Sequence, residues 1–216
     1  MGESEFFINE LCQEYPELGS CAKGIKAACN LVSDCYLQGG KVLTCGNGGS
    51  CSDAGHIVGE LMKSFEASRS IGKGLAGRLM GISPDRGNIL ASKLEQGLPA
   101  ISLNAHDALT SAVLNDIGAD FVFAQQVVGY GVKGDVLIAI STSGNSRNVV
   151  DAAITARAMD LYVIGLVGQD GGKLKEFCDV AICAPSVKTR KVQEYHLPIY
   201  HSICKAVEHH IFRKSN

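Results

Sequence analysis

The 216-residue chain contains no tryptophan, only five prolines and no long uninterrupted apolar run. Without about 18 consecutive apolar residues, no membrane-spanning helix is expected. Charged residues make up only 19% of the chain, and 20 basic residues nearly balance 22 acidic ones. A protein that mainly binds nucleic acid needs a strongly basic face, so the net charge of −2 argues against that class.

The nine cysteines are scattered and include no C-x-x-C pair. This odd number without a pattern argues against a disulfide framework or a cysteine-type zinc site, and we expect buried free thiols. The N-terminal decapeptide MGESEFFINE is acidic and lacks the basic-then-apolar order of a secretory signal. We therefore expect a cytoplasmic protein.

Five short apolar segments next to turn residues predict strands that are buried on both faces. These segments are 41–45, 99–103, 135–140, 161–167 and 179–184. Apolar residues at helical spacing predict N-terminal helices within 1–38, interrupted near Pro16 and Gly19. Further helices are predicted at 53–65, 107–130, 148–159, 173–177 and about 191–213. This alternation predicts an α/β fold in which helices flank a five-stranded parallel sheet.

Residues 64–97 interrupt the alternation with a glycine-rich stretch. One amphipathic helix is predicted there, from Asp85 or Asn88 to Gln96, and the rest is predicted to be loop. Long loops inside compact domains are usually functional or disordered. An active-site lid or wall, a subunit contact and a mobile insertion all stay open as interpretations of this segment.

The first predicted strand leads into the turn Gly46-Asn47-Gly48-Gly49-Ser50, and a helix follows. Glycines let a ligand approach the backbone closely, and a helix N-terminus presents free N–H groups to it. The turn is neither G-x-G-x-x-G nor a P-loop, so it gives little support for nucleotide binding.

The third predicted strand leads into a second turn, Ser141-Thr142-Ser143-Gly144-Asn145-Ser146. Four hydroxyls ahead of a helix suit a phosphate dianion, whereas an ordinary helix cap would account for only one or two of them. We therefore predict phosphate binding here. Both turns follow parallel strands, and open α/β sheets bind ligands at that edge.

His56 and Glu60 are four residues apart in a predicted helix, so their side chains share one face. The pair suits a shared metal ion or an acid–base pair, although an isolated pair of this kind is usually a solvated surface pair. In the last predicted helix, His201 nearly eclipses Glu194 and lies about 80° around the axis from Gln193. This geometry does not choose between Gln193 and Glu194.

Pro198 lies inside the last predicted helix. It predicts either a kink or a regular helix that starts near Leu197 and leaves Gln193 in the preceding loop. His196 is expected to point away from the other candidates, and His209 and His210 are expected to be solvated.

Four blocks of the sequence resemble the phosphoheptose isomerases of the sugar-isomerase (SIS) superfamily, in the family's order. They are GNGGSCSDAGHIVGEL, ISTSGNSRNVVDAA, GLVGQDGGKLKEFCDV and VQEYHLPIYH. The resemblance covers nearly the whole chain except 64–97. It implies a single SIS domain over 1–216, a three-layer sandwich with N-terminal helices over 1–38, and an insertion at 64–97. It also implies a homotetramer with active sites between subunits.

The resemblance further implies an enzyme that converts sedoheptulose 7-phosphate to D-glycero-D-manno-heptose 7-phosphate. Turn residues would line the sugar site and hold the phosphate, and an Asn-Asp pair would contact the substrate. The implied substrate-binding residues are Asn47, Gly48, Gly49, Ser50, Glu60, Asn115, Asp116, Ser141, Thr142, Ser143, Ser146 and Gln193.

Four residues match the positions that bind zinc in metal-containing members: His56, Glu60, Gln193 and His201. The match implies one zinc ion per subunit, held weakly because glutamine is a poor ligand. It also implies Glu60 as the catalytic base and His201 as an acid and base in an enediol-type proton transfer. Glu60 would then be both ligand and base, a conflict that the sequence does not resolve.

Two other functions stay open. The phosphate turn and the acid–base pair do not distinguish sugars by the number of their carbon atoms, so the substrate could be another ketose phosphate. A non-catalytic SIS regulator that associates with the DnaA replication initiator also resembles this chain, in its STSGNS-like and QE-x-H-like blocks. That regulator lacks the glutamate of the first helix and the final histidine, so Glu60 and His201 favour catalysis here.

Overall fold

The structure is a computed structural model that describes residues 3–212. Five strands form one parallel sheet in the order β2-β1-β3-β4-β5. The strands are β1 (Val42–Gly46), β2 (Ala100–Ser102), β3 (Val136–Ser141), β4 (Tyr162–Val167) and β5 (Val180–Cys183). The predicted α/β fold with a five-stranded parallel sheet is therefore confirmed.

Helices cover both faces of the sheet. They are α1 (Glu3–Glu14), α2 (Ala22–Leu37), α3 (Gly49–Met62), α4 (Lys73–Ile82), α5 (Pro84–Lys93), α6 (Asp107–Asp116), α7 (Val122–Tyr130), α8 (Arg147–Ala158) and α9 (Thr189–Phe212). Short 3-10 segments lie at Pro16–Cys21, Ala119–Phe121 and Lys173–Phe177. The first of these is the predicted interruption between the N-terminal helices. Arg213, the predicted end of the last helix, lies outside the described residues.

The sheet separates two apolar layers because successive side chains of each strand point to opposite faces. In β3, Ile138 and Ile140 pack in the layer with α1, α2, α3 and α9. Leu137 and Ala139 pack in the layer with α7 and α8. This burial on both faces explains why the strands appear in the sequence as continuous apolar runs. None of the helices within residues 3–212 combines the length and the hydrophobicity that a membrane span requires.

Two predicted helix boundaries were wrong. The segment 107–130 is not one helix, since α6 ends at Asp116 and Gly118 adopts a positive φ of 129° before α7 begins. Glycine tolerates this left-handed region and so permits the break. The helix predicted at 53–65 begins at Gly49 instead, directly in the glycine turn.

Residues 64–97 contain a helical hairpin formed by α4 and α5, whereas the sequence predicted one helix and a loop. All of α4 falls in the predicted loop, because its three glycines weaken the helix signal. Packing against α5 compensates for the low helix propensity of α4. A Cβ at Gly87 would collide with the Leu79 carbonyl, so glycine at this position lets the two helices approach closely. The base of the hairpin is closed by hydrogen bonds from Ser64 to Glu95 (Oγ–Oε1, 2.7 Å) and from Gln96 N to the Arg69 carbonyl (2.7 Å).

Helix α9 is continuous through Pro198, so the alternative in which it starts near Leu197 is wrong and Gln193 is helical. His196 is buried, and its Nε2 lies 3.3 Å from the Val167 carbonyl, away from the other candidate residues as expected. His209 is not solvated: it is 8% exposed, and its ring lies 4.7 Å from that of Phe7. His210 is half-buried rather than solvated.

Candidate active site

The first turn joins β1 to α3 in a tight conformation that requires glycine. Gly48 adopts a positive φ of 57°. A Cβ at Gly46 would come within 2.6 Å of the Ser50 carbonyl, and Ser50 itself is buried. A Cβ at Gly49 would collide with the side-chain amide of Gln193. The turn therefore brings the α9 residue Gln193 to the N-terminus of α3.

The second turn joins β3 to α8 and gathers the predicted phosphate-binding hydroxyls. The Ser141 hydroxyl donates to Ser146 Oγ over 3.1 Å, and the Asn145 backbone N–H donates to Ser143 Oγ over 3.2 Å. Ser146 occupies the N-cap of α8, but its side chain makes no capping hydrogen bond. The first backbone N–H groups of α8 therefore have no side-chain cap from Ser146. Thr142 is half-buried beside them.

A reciprocal amide pair connects the two turns. Asn47 Nδ2 donates to Asn148 Oδ1 over 2.9 Å, and Asn148 Nδ2 donates to Asn47 Oδ1 over 3.0 Å. Asn148 lies in the first turn of α8. The pair therefore joins the glycine turn to the start of α8, directly after the hydroxyl turn.

Three of the four predicted metal residues meet between α3 and α9. The candidate ligand atoms of His56, Glu60 and His201 all lie within 4.8 Å of one another. His56 Nε2 lies 3.0 Å from Glu60 Oε1, and the ring centroids of His56 and His201 are 5.0 Å apart. We call these three residues the His/Glu/His cluster.

The donor set of the His/Glu/His cluster fits a zinc ion. The Nε2 atom of His201 is buried and has no hydrogen-bond partner among the described residues. Two imidazoles and a carboxylate are ordinary zinc ligands, and they leave a coordination position for another group. Gln193 lies against Gly49 in the first turn. Glu194 is exposed and lies 3.7 Å from Arg190 and 3.2 Å from Lys191.

Burial shifts the titration of groups in and around the cluster. Burial, reinforced by neighbouring His56, lowers the pKa of His201. Burial raises the pKa of Asp53, although the hydrogen bond from Tyr200 opposes the shift. Burial and the nearby Asp53 raise the pKa of the Tyr200 hydroxyl, which therefore keeps its proton at neutral pH.

A wall beside the cluster comes from the start of the 64–97 segment. The Phe65 ring lies 5.2 Å from the His201 ring. Arg69 donates to the carbonyls of Glu60 (3.1 Å) and Leu61 (2.8 Å) at the end of α3, and it pairs with Glu208 of α9. Arg69 and Glu208 were not predicted from the sequence, because they are 139 residues apart and share no local pattern.

Asp53 and Tyr200 were not predicted from the sequence either. Asp53 lies three residues before His56, so helical spacing could have placed the two near one face. Tyr200 directly precedes His201, yet its contact with α3 depends on how the two helices pack, which spacing does not reveal.

Asn115 and Asp116 lie elsewhere in the chain. They are the last two residues of α6, both exposed, and Asn115 Nδ2 donates to Asp116 Oδ1 over 2.7 Å. This helix follows the edge strand β2, whereas the cluster lies between α3 and α9. Their predicted contact with substrate stays a prediction.

Comparison with known proteins identifies the family. The SIS domain family model matches residues 84–168. The phosphoheptose isomerase of Helicobacter hepaticus is 38% identical over 95% of this chain and 91% of its own length. That of Rhodospirillum rubrum is 38% identical over 93% of this chain and 95% of its own length. The chain belongs to the phosphoheptose isomerase family.

Solved structures of phosphoheptose isomerases share the fold. The enzyme from Neisseria gonorrhoeae is 32% identical, covers 93% of this chain and 94% of its own, and superposes with a TM-score of 0.73. The enzyme from Francisella tularensis is 30% identical, covers 94% of both chains and superposes with a TM-score of 0.74. The resemblance predicted from four sequence blocks is therefore confirmed.

Proposed function

We propose that this chain interconverts sedoheptulose 7-phosphate and D-glycero-D-manno-heptose 7-phosphate. The observation that carries the proposal is the position of the His/Glu/His cluster relative to the two turns. Helix α3 begins in the glycine turn and carries His56 and Glu60, and the Asn47–Asn148 pair joins that turn to the hydroxyl turn. Family membership supports the heptose substrate.

The hydroxyl turn would hold the substrate's phosphate. Ser141, Thr142, Ser143 and Ser146 would donate hydrogen bonds to its oxygens, and the N-terminus of α8 favours a negative group. Asn47, Gly48, Gly49 and Ser50 would line the sugar, with Gln193 beside them. Asn115 and Asp116 would contact substrate as the family pattern implies.

Glu60 and His201 would carry the proton transfers. The aldose forms when a proton leaves C1 of the ketose and a proton is delivered to C2, through an enediol. A carboxylate suits this task, and we assign it to Glu60. The imidazole of His201, across the cluster, would move a proton between the oxygens on C1 and C2.

One zinc ion per subunit would be held by His56, Glu60, Gln193 and His201. When bound, the metal supplies polarisation of the substrate's carbonyl and hydroxyl oxygens and stabilises the negative charge of the enediolate. A carboxylate has two oxygens, so Glu60 can hold a cation with one and accept a proton with the other. With the roles divided in this way, the one carboxylate would serve as both ligand and base.

We also propose a cytoplasmic homotetramer of single SIS domains spanning residues 1–216, with active sites between subunits. The α4–α5 hairpin supports assembly: within it only Gly87 is buried, and its exposed apolar side chains include Leu75, Ile82 and Ile89. Two ten-residue helices are marginal without further packing. The hairpin carries four basic residues and one acidic residue, whereas 107–121 carries three acidic residues and no Lys or Arg. Because the two exposed segments carry opposite charge, the hairpin of one copy suits contact with residues 107–121 of another copy.

The test is proton NMR of sedoheptulose 7-phosphate incubated with the purified protein, with and without a chelator. Appearance of an aldoheptose 7-phosphate that stops on chelation and returns with zinc is the expected result. Conversion that persists after verified metal removal would refute the metal's role. No conversion with zinc present would refute the proposed substrate; a panel of other ketose phosphates, and binding to a replication initiator, would then distinguish the other two interpretations.

A further inference from the structure

The hydroxyl of Tyr200 lies between His56 and Asp53. Its oxygen is 2.9 Å from His56 Nδ1 and 3.4 Å from Asp53 Oδ1. The Tyr200 side chain is 2% exposed, and its ring meets the His56 ring edge-on with centroids 5.4 Å apart. Water therefore has little access to this hydroxyl, and its single proton has two possible acceptors.

Asp53 is incompletely satisfied. Its Oδ2 is buried and has no hydrogen-bond partner among residues 3–212. A buried carboxylate oxygen without a donor is costly, so the group gains from any donor that turns toward it. Tyr200 is the donor already in reach, through the Oδ1 atom of the same carboxylate.

The two acceptors correspond to two tautomers of His56. If Tyr200 donates to Nδ1, the proton of the neutral imidazole is on Nε2 and points at Glu60 Oε1, 3.0 Å away. If Tyr200 donates to Asp53, His56 carries its proton on Nδ1 and donates it to the Tyr200 oxygen. The Nε2 lone pair then faces the interior of the cluster. Both arrangements hold the same number of protons.

We infer that Asp53 and Tyr200 form a relay that holds His56 in its Nδ1–H tautomer whenever Nε2 binds a cation. A histidine that ligates a metal through one nitrogen usually donates its other N–H to a partner, which fixes the ring and raises its basicity. Tyr200 is thus a positioning residue, and Asp53 anchors it. The inference rests on the proposed metal site, and it adds the two residues that would orient the ligand His56 for metal binding.

The experiment measures zinc affinity of the metal-depleted full-length protein by competition with a chromogenic chelator. Tyr200→Phe removes only the hydroxyl and should weaken zinc binding about 10- to 100-fold. Asp53→Ala should weaken it by a similar factor, and the double variant no further, because the two residues act as a unit. Nitrogen-detected NMR of the zinc-loaded protein should show His56 as Nδ1–H in the wild type and a mixed or altered tautomer signal in Tyr200→Phe.

Tyr195→Phe is the matched control. Tyr195 lies on the same helix and is also buried, but its hydroxyl donates to Glu17 over 3.0 Å. Its removal should leave zinc affinity and the His56 signal unchanged. Zinc binding by Tyr200→Phe as tight as that of the wild type would overturn the relay while leaving the metal site intact. A wild type that binds no zinc would overturn both the metal site and the relay.

Discussion

The carboxylate of Glu208 and the guanidinium of Arg69 form an ion pair in which both side chains are fully buried. Arg69 Nε lies 2.7 Å from Glu208 Oε1, and Glu208 also accepts the backbone N–H groups of Phe65, Glu66 and Ala67 at 2.9–3.0 Å. The pair therefore fixes the start of the 64–97 segment to both α3 and α9. Burial alone would raise the pKa of Glu208, but these hydrogen bonds hold the pKa below its usual value.

Breaking this pair should be strongly destabilising. Glu208→Gln leaves the buried Arg69 charge uncompensated, and we expect the free energy of unfolding to fall by about 3–5 kcal/mol in urea titration. The matched control is Asp160→Asn, which breaks an exposed pair with Lys133. That change should cost less than about 1 kcal/mol. Equal effects of the two substitutions would show that Glu208 is not a structural anchor.

Removing a hydroxyl that we propose to bind phosphate should impair binding more than turnover. On this proposal Ser146→Ala deletes one charge-assisted hydrogen bond, worth about 1.5–3 kcal/mol, so KM for sedoheptulose 7-phosphate should rise roughly 10- to 100-fold. The maximal rate should change little, because this contact is present in both ground and transition states. Ser92→Ala, on the hairpin helix α5, is the control. An unchanged KM would show that Ser146 does not bind the substrate's phosphate.

The stability of the fold should depend on pH through His196. Burial lowers the pKa of His196 to about 4, whereas in the unfolded chain the imidazole takes up its proton near the ordinary value of 6.5. The folded state thus binds the proton less readily, so stability is full above pH 6.5 and falls as the pH drops toward 4. Between pH 7.5 and 5 this loss is about 2 kcal/mol. Urea titrations at several pH values give the free energy of unfolding as a function of pH. Over this range the free energy should fall more steeply for the wild type than for His196→Leu. The same pH dependence in both proteins would contradict the assignment to His196.

The hairpin should contribute to assembly. Ile82 at the end of α4 is 84% exposed, and Ile82→Asp should lower the molecular mass measured by light scattering coupled to gel filtration. Val187→Asp is the control, since Val187 is an exposed apolar residue (71%) outside the hairpin. If Ile82→Asp keeps the wild-type mass, the hairpin is not a subunit contact.

The sheet could be predicted from the sequence because its strands are buried on both faces and appear as apolar runs between turns. Spacing placed His56 and Glu60 on one face of α3, and family resemblance added His201. The hairpin helix α4 was missed because its three glycines resemble loop composition. The Tyr200–His56 contact joins residues 144 positions apart, and only the packing of α9 on α3 creates it.

Glu60 is the residue that we propose transfers the proton in the conversion of ketose to aldose. Proton NMR of sedoheptulose 7-phosphate with zinc-supplemented wild type, Glu60→Gln and Glu194→Gln tests it most directly. Glutamine keeps the shape but cannot act as a base, so we expect a rate loss of about 100- to 10,000-fold in Glu60→Gln. Glu194 is exposed on α9, and its substitution should leave the rate near that of the wild type. An aldoheptose phosphate formed by Glu60→Gln at the wild-type rate would contradict the account.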